Sequence, residues 1–157
     1  MGAVLVVGYT YRDELKAMWH RVAGTETARK PVARTPNSLT LIRHRDGHFY
    51  LTAWLDGART RMLIDTGATT SVLTQRDAKR AGLYPDRLSY TVPVQTGNGR
   101  VLLARARITV LEIGDLKIRN VPVLVSKTDL NFSIIGINAL RRLNGYEVKG
   151  DRMTLKW

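Results

Sequence analysis

From Leu39 onward, apolar residues come in short runs separated by glycine-containing turns, the pattern of strands joined by tight connections. Leu39–Arg43 and His48–Leu55 flank Asp46-Gly47, and a second pair, Asp56-Gly57, leads into Ala58–Asp65. Asp-Gly between strand-like runs predicts a hairpin at each site, which puts Asp65 at the end of the third strand of a meander. Thr74-Gln75-Arg76-Asp77 predicts the capped start of a short helix that Gly82 closes. Ser89–Thr96 and Arg100–Glu112 predict another hairpin through Gly97-Asn98-Gly99. Gly114-Asp115 turns the chain into Leu116–Val125, where Pro122 predicts a position on a sheet edge. Phe132–Gly136 is a further apolar run, followed by a helical pattern over Asn138–Leu143. Tyr146–Lys149 and Met153–Trp157 predict a closing hairpin about Gly150-Asp151. The expected fold class is all-β with two short helices.

The chain before Leu39 reads differently. Tyr11–Val22 sets Leu15, Met18, Trp19 and Val22 at helical spacing, a short amphipathic helix. Gly24–Ser38 holds two prolines and no apolar periodicity, the composition of a flexible linker. As a helix, the apolar stretch Met1–Gly8 would span only about 12 Å, far less than a bilayer. It lacks the basic segment and small-residue cleavage site of a signal peptide, and Val6 breaks the myristoylation pattern. With Tyr9 and Tyr11 beyond it, the stretch matches the last turns of a membrane-spanning helix, and equally a frayed apolar terminus. The expected organisation is a membrane-proximal stub, helix and linker over residues 1–38, then a folded domain over 39–157.

Composition narrows the classes. At 157 residues the chain suits one domain with a real core, and the absence of cysteine excludes disulfides and thiolate metal sites. A net charge of +12 is compatible with nucleic acid, anionic lipid or acidic polypeptide as partner. The Lys and Arg residues are dispersed, however, with no zinc-finger spacing or RNA-binding aromatic signature, so a solvated basic surface is expected and no nucleic acid. His44 and His48 are four apart, but a strand–turn–strand path does not pair them as a helix would, so no metal site is expected. Ser71 lacks the Gly-x-Ser-x-Gly setting of a nucleophilic serine.

The candidate chemistry lies in Met62–Ser71, where three apolar residues run into Asp65 and Thr66-Gly67-Ala68 follow. A carboxylate at the end of a buried strand loses hydration, and Thr66 and Gly67 offer a hydroxyl and backbone N–H groups beside it. Taken alone, Asp-Thr-Gly is also an ordinary turn after a strand. The surrounding pieces add to it: Leu63-Ile64-Asp65-Thr66-Gly67-Ala68, then Gln95-Thr96-Gly97-Asn98-Gly99, then Leu111–Leu116 with Asn120-Val121-Pro122-Val123, then Ile134-Ile135-Gly136. In that order they resemble a retropepsin-type, single-lobed aspartic protease, more narrowly its bacterial membrane-anchored members, over Leu39–Trp157.

The resemblance implies a retropepsin-like acid-protease half-barrel that dimerises and works as an aspartic endopeptidase. It assigns Asp65 as catalytic and Thr66, Gly67 and Ala68 as loop support, with Thr66 bonding across a twofold axis. Thr96, Gly97, Asn98 and Gly99 become a flap over an extended polypeptide substrate, and Ile134, Ile135 and Gly136 the second glycine motif. No metal or organic cofactor is implied. It also implies an inner-membrane anchor upstream of residue 9 with the domain on the periplasmic side, and Met153–Trp157 interleaving at the dimer base. Ile137-Asn138-Ala139-Leu140 departs from the bulkier run of bacterial relatives and is expected to change the packing behind the site.

This chemistry needs two carboxylates sharing one proton, yet the chain holds a single Asp-Thr-Gly. Asp129 near the second apolar run lacks the Thr-Gly sequel, so a homodimer donating Asp65 twice is required. The alternative is a catalytically silent peptide-binding module of the same fold. Arg100, Arg105 and Arg107 around the flap strands pose a separate question: pointing inward they would favour acidic substrates, pointing outward they are merely solvated.

Overall fold

The computed structural model describes residues 33–96, 99–128 and 130–157. The apolar stub, the amphipathic helix, most of the linker, Gly97-Asn98 and Asp129 lie outside the described residues. The strands are β1 (Ala33–Thr35), β2 (Ser38–Ile42), β3 (Tyr50–Leu55), β4 (Ala58–Ile64), β5 (Ser71–Leu73), β6 (Tyr90–Thr96), β7 (Gly99–Ile113), β8 (Leu116–Ser126), β9 (Ser133–Ile135), β10 (Gly145–Lys149) and β11 (Arg152–Lys156). Among the described residues there are also two short helices, α1 (Gln75–Arg80) and α2 (Ile137–Leu140), and a 3-10 turn at Pro85–Arg87.

The larger sheet runs β3-β4-β9-β5-β8-β7-β6. Strand β3 also meets β7, with Trp54 opposite Glu112 and Leu55 opposite Leu111. Six strands thereby close into a small barrel, and β6 extends from β7 as an arm. A second sheet, β1-β2-β11-β10, covers the base.

Apolar runs in the barrel are continuous because these strands bury both faces. Met62 and Ile64 belong to the main core while Leu63 between them belongs to a second cluster. The same split separates Val123 and Val125 from Leu124, Ile135 from Ile134, and Leu73 from Val72. Leu39, Leu41, Met153 and Leu155 of the base sheet, Ala78 of α1 and Leu140 of α2 complete the main core. Each such aliphatic side chain contributes about 1.5–3 kcal/mol on burial, so residues serving opposite faces leave little freedom to slip register.

Local signals mostly act as written. The Thr74 side chain accepts the Asp77 N–H at 3.1 Å and Gly82 ends α1 at φ +80°. The backbone of Pro122 faces an open edge, because β5 pairs with β8 only from Val123 onward, and the Pro122 carbonyl there accepts the Asn138 side chain at 2.7 Å. Asp56-Gly57 is a true hairpin turn with φ of +47° and +85°.

Asp46-Gly47 is not a hairpin. Strands β2 and β3 lie in different sheets, and the turn, closed by His44 N–H to the His48 carbonyl at 2.8 Å, carries the chain from one to the other. Asp65 therefore follows the second strand of a β3–β4 pair, and the other neighbour of β4 is β9. Strand β11 is bracketed by β2 and β10, so it has no open edge with which to interleave. Ala33–Thr35, inside the stretch read as linker, pairs with β2 across Pro36-Asn37, with Asn37 at φ +62° as a type II turn requires. Among the described residues no helix is long and apolar enough to cross a membrane.

The Asp56 carboxylate also accepts the N–H groups of Thr109 and Val110, at 3.0 and 2.7 Å, tying the hairpin to β7. Asp56→Ala removes both bonds at a left-handed position and is expected to destabilise by about 1–3 kcal/mol. Asp56→Asn, which keeps an acceptor and tolerates that conformation, should lose less. A fall in urea midpoint at unchanged slope is the readout, and equal midpoints for Asp56→Ala and wild type would refute the role.

Candidate active site

Asp65 leaves β4 at the point where that strand runs parallel to β9, with Ile64 opposite Ile135. Its N–H donates to the Ile135 carbonyl at 3.0 Å, and its carbonyl accepts the Ala68 N–H at 3.2 Å, closing a tight turn. The Gly67 N–H donates to Asp65 Oδ1 at 2.8 Å, which aims the carboxylate back over its own loop. Asp65 is half-buried, Thr66 and Gly67 are exposed, and Ala68 is completely buried. Among the described residues no Lys or Arg forms an ion pair with Asp65. One edge of the carboxylate is thus fixed by a backbone donor, and the loop that carries it faces outward.

The second glycine motif locks against this loop. The Ile137 and Asn138 N–H groups donate to the Ala68 and Thr69 carbonyls at 2.8 and 3.2 Å. The Gly136 N–H donates to Ser71 Oγ at 3.1 Å. A Cβ on Gly136 would fall 2.7 Å from the Ala68 carbonyl oxygen and 2.7 Å from the Thr70 carbonyl carbon. Glycine is needed here for closeness of two backbones rather than for an unusual φ.

Two further residues hold the loop, and sequence reasoning gave neither this role. Asn138 Oδ1 accepts both the Ser71 N–H at 2.8 Å and the Ser71 hydroxyl at 2.9 Å, while its Nδ2 donates to Pro122. The sequence places Asn138 in a helical pattern and in a run expected to alter the packing behind the site, and sets Ser71 outside any nucleophilic-serine motif; neither signal specifies their mutual bond. Behind β9, Ser133 Oγ donates to Asp77 Oδ2 at 2.7 Å and accepts the Thr74 N–H at 3.1 Å. The cap of α1 and the start of β9 therefore share one buried carboxylate, with Arg76 and Arg80 at 3.5 and 3.7 Å from its other oxygen.

The arm β6–β7 belongs to the same site. Thr96 lies opposite Gly99, and its hydroxyl donates to the Gly99 carbonyl at 2.7 Å beside the tip. Val94 and Leu103 at the base of the arm pack with Leu63, Ala68, Val72, Leu124 and Ile134 in the second apolar cluster. Partly buried Tyr50, Val92, Val101, Leu130 and Phe132 fringe it. Ala68 of the Asp65 loop, Ile134 of the second glycine motif and Val94 and Leu103 of the arm thus share one apolar cluster, while Gly97 and Asn98 of the expected flap lie outside the described residues.

Other candidates lie apart. His44 stacks edge-on against Tyr50 and places Nδ1 3.2 Å from Asp46. A separate groove of about 540 Å³ between Thr74–Arg76 on one side and Lys127, Thr128, Leu130 and Asn131 on the other contains none of the Asp65 loop.

Comparison with known proteins agrees with this geometry. The family model described as "gag-polyprotein putative aspartyl protease" matches residues 51–142, more than half of the chain. An uncharacterized protein encoded in the cobV 5′ region of Sinorhizobium sp. is 34% identical over 97% of this chain and 67% of its own length. The uncharacterized protein RP867 of Rickettsia prowazekii (strain Madrid E) is 29% identical over 98% of this chain and 66% of its own. The chain thus spans about two thirds of the length of these relatives. Among solved structures, a retropepsin-like aspartic protease from Rickettsia conorii superposes with a TM-score of 0.67 at 29% identity, covering 76% of this chain and 90% of the other. EIAV protease complexed with the inhibitor HBY-793 gives 0.54 at 23%, covering 64% and 91%, a likeness of fold. The mostly-β barrel with two short helices is retropepsin-like.

Gly136→Ala is expected to destabilise the protein by about 1–3 kcal/mol, because backbone rather than a movable side chain stands in the way. Asn138→Ala leaves the Ser71 donors and the Pro122 carbonyl without their partner and should cost a similar amount. Urea denaturation measures both, and wild-type stability in either variant would refute the interlock.

Proposed function

The chain belongs to the gag-polyprotein aspartyl protease family, and from that premise we propose that it is an aspartic endopeptidase active as a homodimer. The observation that carries the reading is the Asp65 carboxylate, held by the Gly67 N–H on an outward-facing loop beside an apolar floor under a hairpin arm. A second copy facing this loop supplies the second carboxylate. Two carboxylates so close retain one proton between them. The ionised one takes a proton from a water whose oxygen attacks the peptide carbonyl carbon, while the protonated one hydrogen-bonds to the carbonyl oxygen. Collapse of the tetrahedral intermediate breaks the C–N bond as the leaving nitrogen receives a proton, and the carboxylate pair regains its shared proton.

The substrate is an extended polypeptide lying between the Asp65 loops and the two arms, its backbone pairing as an added strand. Closure of the arms removes bulk water from the reacting groups. Thr66, exposed in the single chain, is available to bond across the axis. The relationship to the Rickettsia conorii protease supports the same reading.

Wild type is expected to cleave an unstructured polypeptide at acidic to neutral pH, and Asp65→Asn to be slower by about three orders of magnitude or more. Equal cleavage by both, or none by wild type across that range, would reject the endopeptidase and leave a silent peptide-binding module. Activity per chain should also fall on dilution, and excess Asp65→Asn should suppress wild type by forming mixed dimers. Activity per chain that ignores both dilution and mixing would rule out the shared site.

A further inference from the structure

We propose that Arg105 selects substrates carrying an acidic side chain a few residues from the cleaved bond. The inference rests on the endopeptidase reading and adds a substrate class to it. Residues directly opposite one another in a sheet share a face, and one unbroken row of such pairs crosses the surface beside Asp65. Tyr50 stands opposite Leu63, Leu63 opposite Ile134, and Ile134 opposite Val72. Val72 stands opposite Leu124, and Leu124 opposite Arg105. The four middle members are buried in the apolar cluster to which Val94 and Leu103 of the arm belong. Leu63 lies two residues before Asp65, so this row is the floor on which a bound peptide rests.

Arg105 is the charged end of that floor. It lies two residues beyond Leu103 on a regular stretch of β7, which gives the same face by a second route. Its side chain is exposed, and among the described residues it makes no ion pair or hydrogen bond. Arg107, the next residue on that face, spends one guanidinium nitrogen on the Asn120 carbonyl at 3.2 Å and, with no acidic partner among the described residues, adds positive potential. Arg100 differs: it lies opposite Gln95, while the neighbouring pair Val94–Val101 faces the cluster, so Arg100 points to the outer side of the arm.

Four strand spacings separate Leu63 from Arg105, about 19 Å along the sheet. An extended peptide covers that span with about five or six residues. A carboxylate two to five residues from the bond therefore comes within reach of Arg105 while apolar side chains occupy the floor nearer Asp65. The exposed guanidinium is hydrated, so the selectivity is modest, and it is carried by charge with a planar fork suited to a carboxylate.

The test uses fluorogenic peptides sharing one apolar cleavage pair and differing only by Glu, Gln or Lys at each position two to five residues away. Assay at pH 6 keeps the glutamate ionised. Wild type should prefer the best-placed Glu peptide in kcat/KM by about threefold to fivefold. The preference should vanish in Arg105→Gln, reverse in Arg105→Glu against Lys peptides, and persist in Arg100→Gln. Anisotropy of the same peptides on Asp65→Asn protein reads binding without turnover and should give the same order. Cleavage with equal Glu/Gln ratios in wild type and Arg105→Gln overturns the selectivity and leaves the protease standing. Charge-selective binding that Arg105→Gln abolishes, with no cleavage by wild type, supports Arg105 and sinks the protease. Neither cleavage nor binding overturns both.

Discussion

Two backbones meet side by side at Gly136, and the site depends on their meeting. The strand β9 can run parallel to β4 only if the chain leaving it passes directly over Ala68–Ser71. With no side chain at Gly136, the Ile137 and Asn138 N–H groups reach the Ala68 and Thr69 carbonyls, and the Asp65 turn is held from both ends. The carboxylate then needs only one local donor, the Gly67 N–H, to be aimed. Rigidity is supplied by the fold around the loop, and the loop itself remains outward-facing. Such an arrangement positions a carboxylate that pairs with no Lys or Arg among the described residues, which suits the proton transfer proposed for it.

The parts legible in the sequence were those whose signal is local. Thr74 at a helix start, Asp56-Gly57 at a hairpin, Pro122 on an edge and Asp65-Thr66-Gly67 after an apolar run each carry their geometry within a few residues. Asp46-Gly47 carries the same turn chemistry as Asp56-Gly57 yet joins strands of different sheets, because what β2 pairs with is decided by β11, more than a hundred residues away. A turn signal specifies how the chain bends and says nothing about what the next strand meets. The Asn138–Ser71–Pro122 bonds stayed hidden for the same reason, since they join three segments that only tertiary packing brings together. The Pro36-Asn37 turn was local and readable, but the polar, proline-containing stretch around it masked the strand.

Two-faced strands connect that packing to the proposed substrate floor. A barrel of this size fills its interior with one set of side chains and leaves the other set for its outer surface. In β4, β5, β8 and β9 the outer set is Leu63, Val72, Leu124 and Ile134, as apolar as the inner one. Part of that outer surface is covered by the arm, and its fringe of Tyr50, Phe132 and Leu130 remains partly open. Arg61 lies over this fringe, 4.6 Å from the Tyr50 ring centre and 5.7 Å from that of Phe132. The floor is therefore apolar at its centre with cationic groups toward both ends, a distribution that the dispersed arginines of the sequence did not reveal.

The base sheet bears on assembly. In the single chain, β11 already has β2 and β10 as neighbours, so a second copy cannot enter between them without displacing a paired strand. The Thr66-Gly67 edge of the loop that carries Asp65 is exposed and open to contact. If contact between copies is centred there, the surface that joins them and the surface that reacts are the same. Association then does two things at once: it brings a second carboxylate within proton-sharing distance and removes water from both. A lone loop has neither, since one carboxylate cannot take a proton from water and donate to a carbonyl in the same step. On the proposed endopeptidase reading the chemistry is a property of the pair, and the fold's contribution is to hold the Asp65 turn from both ends in each half.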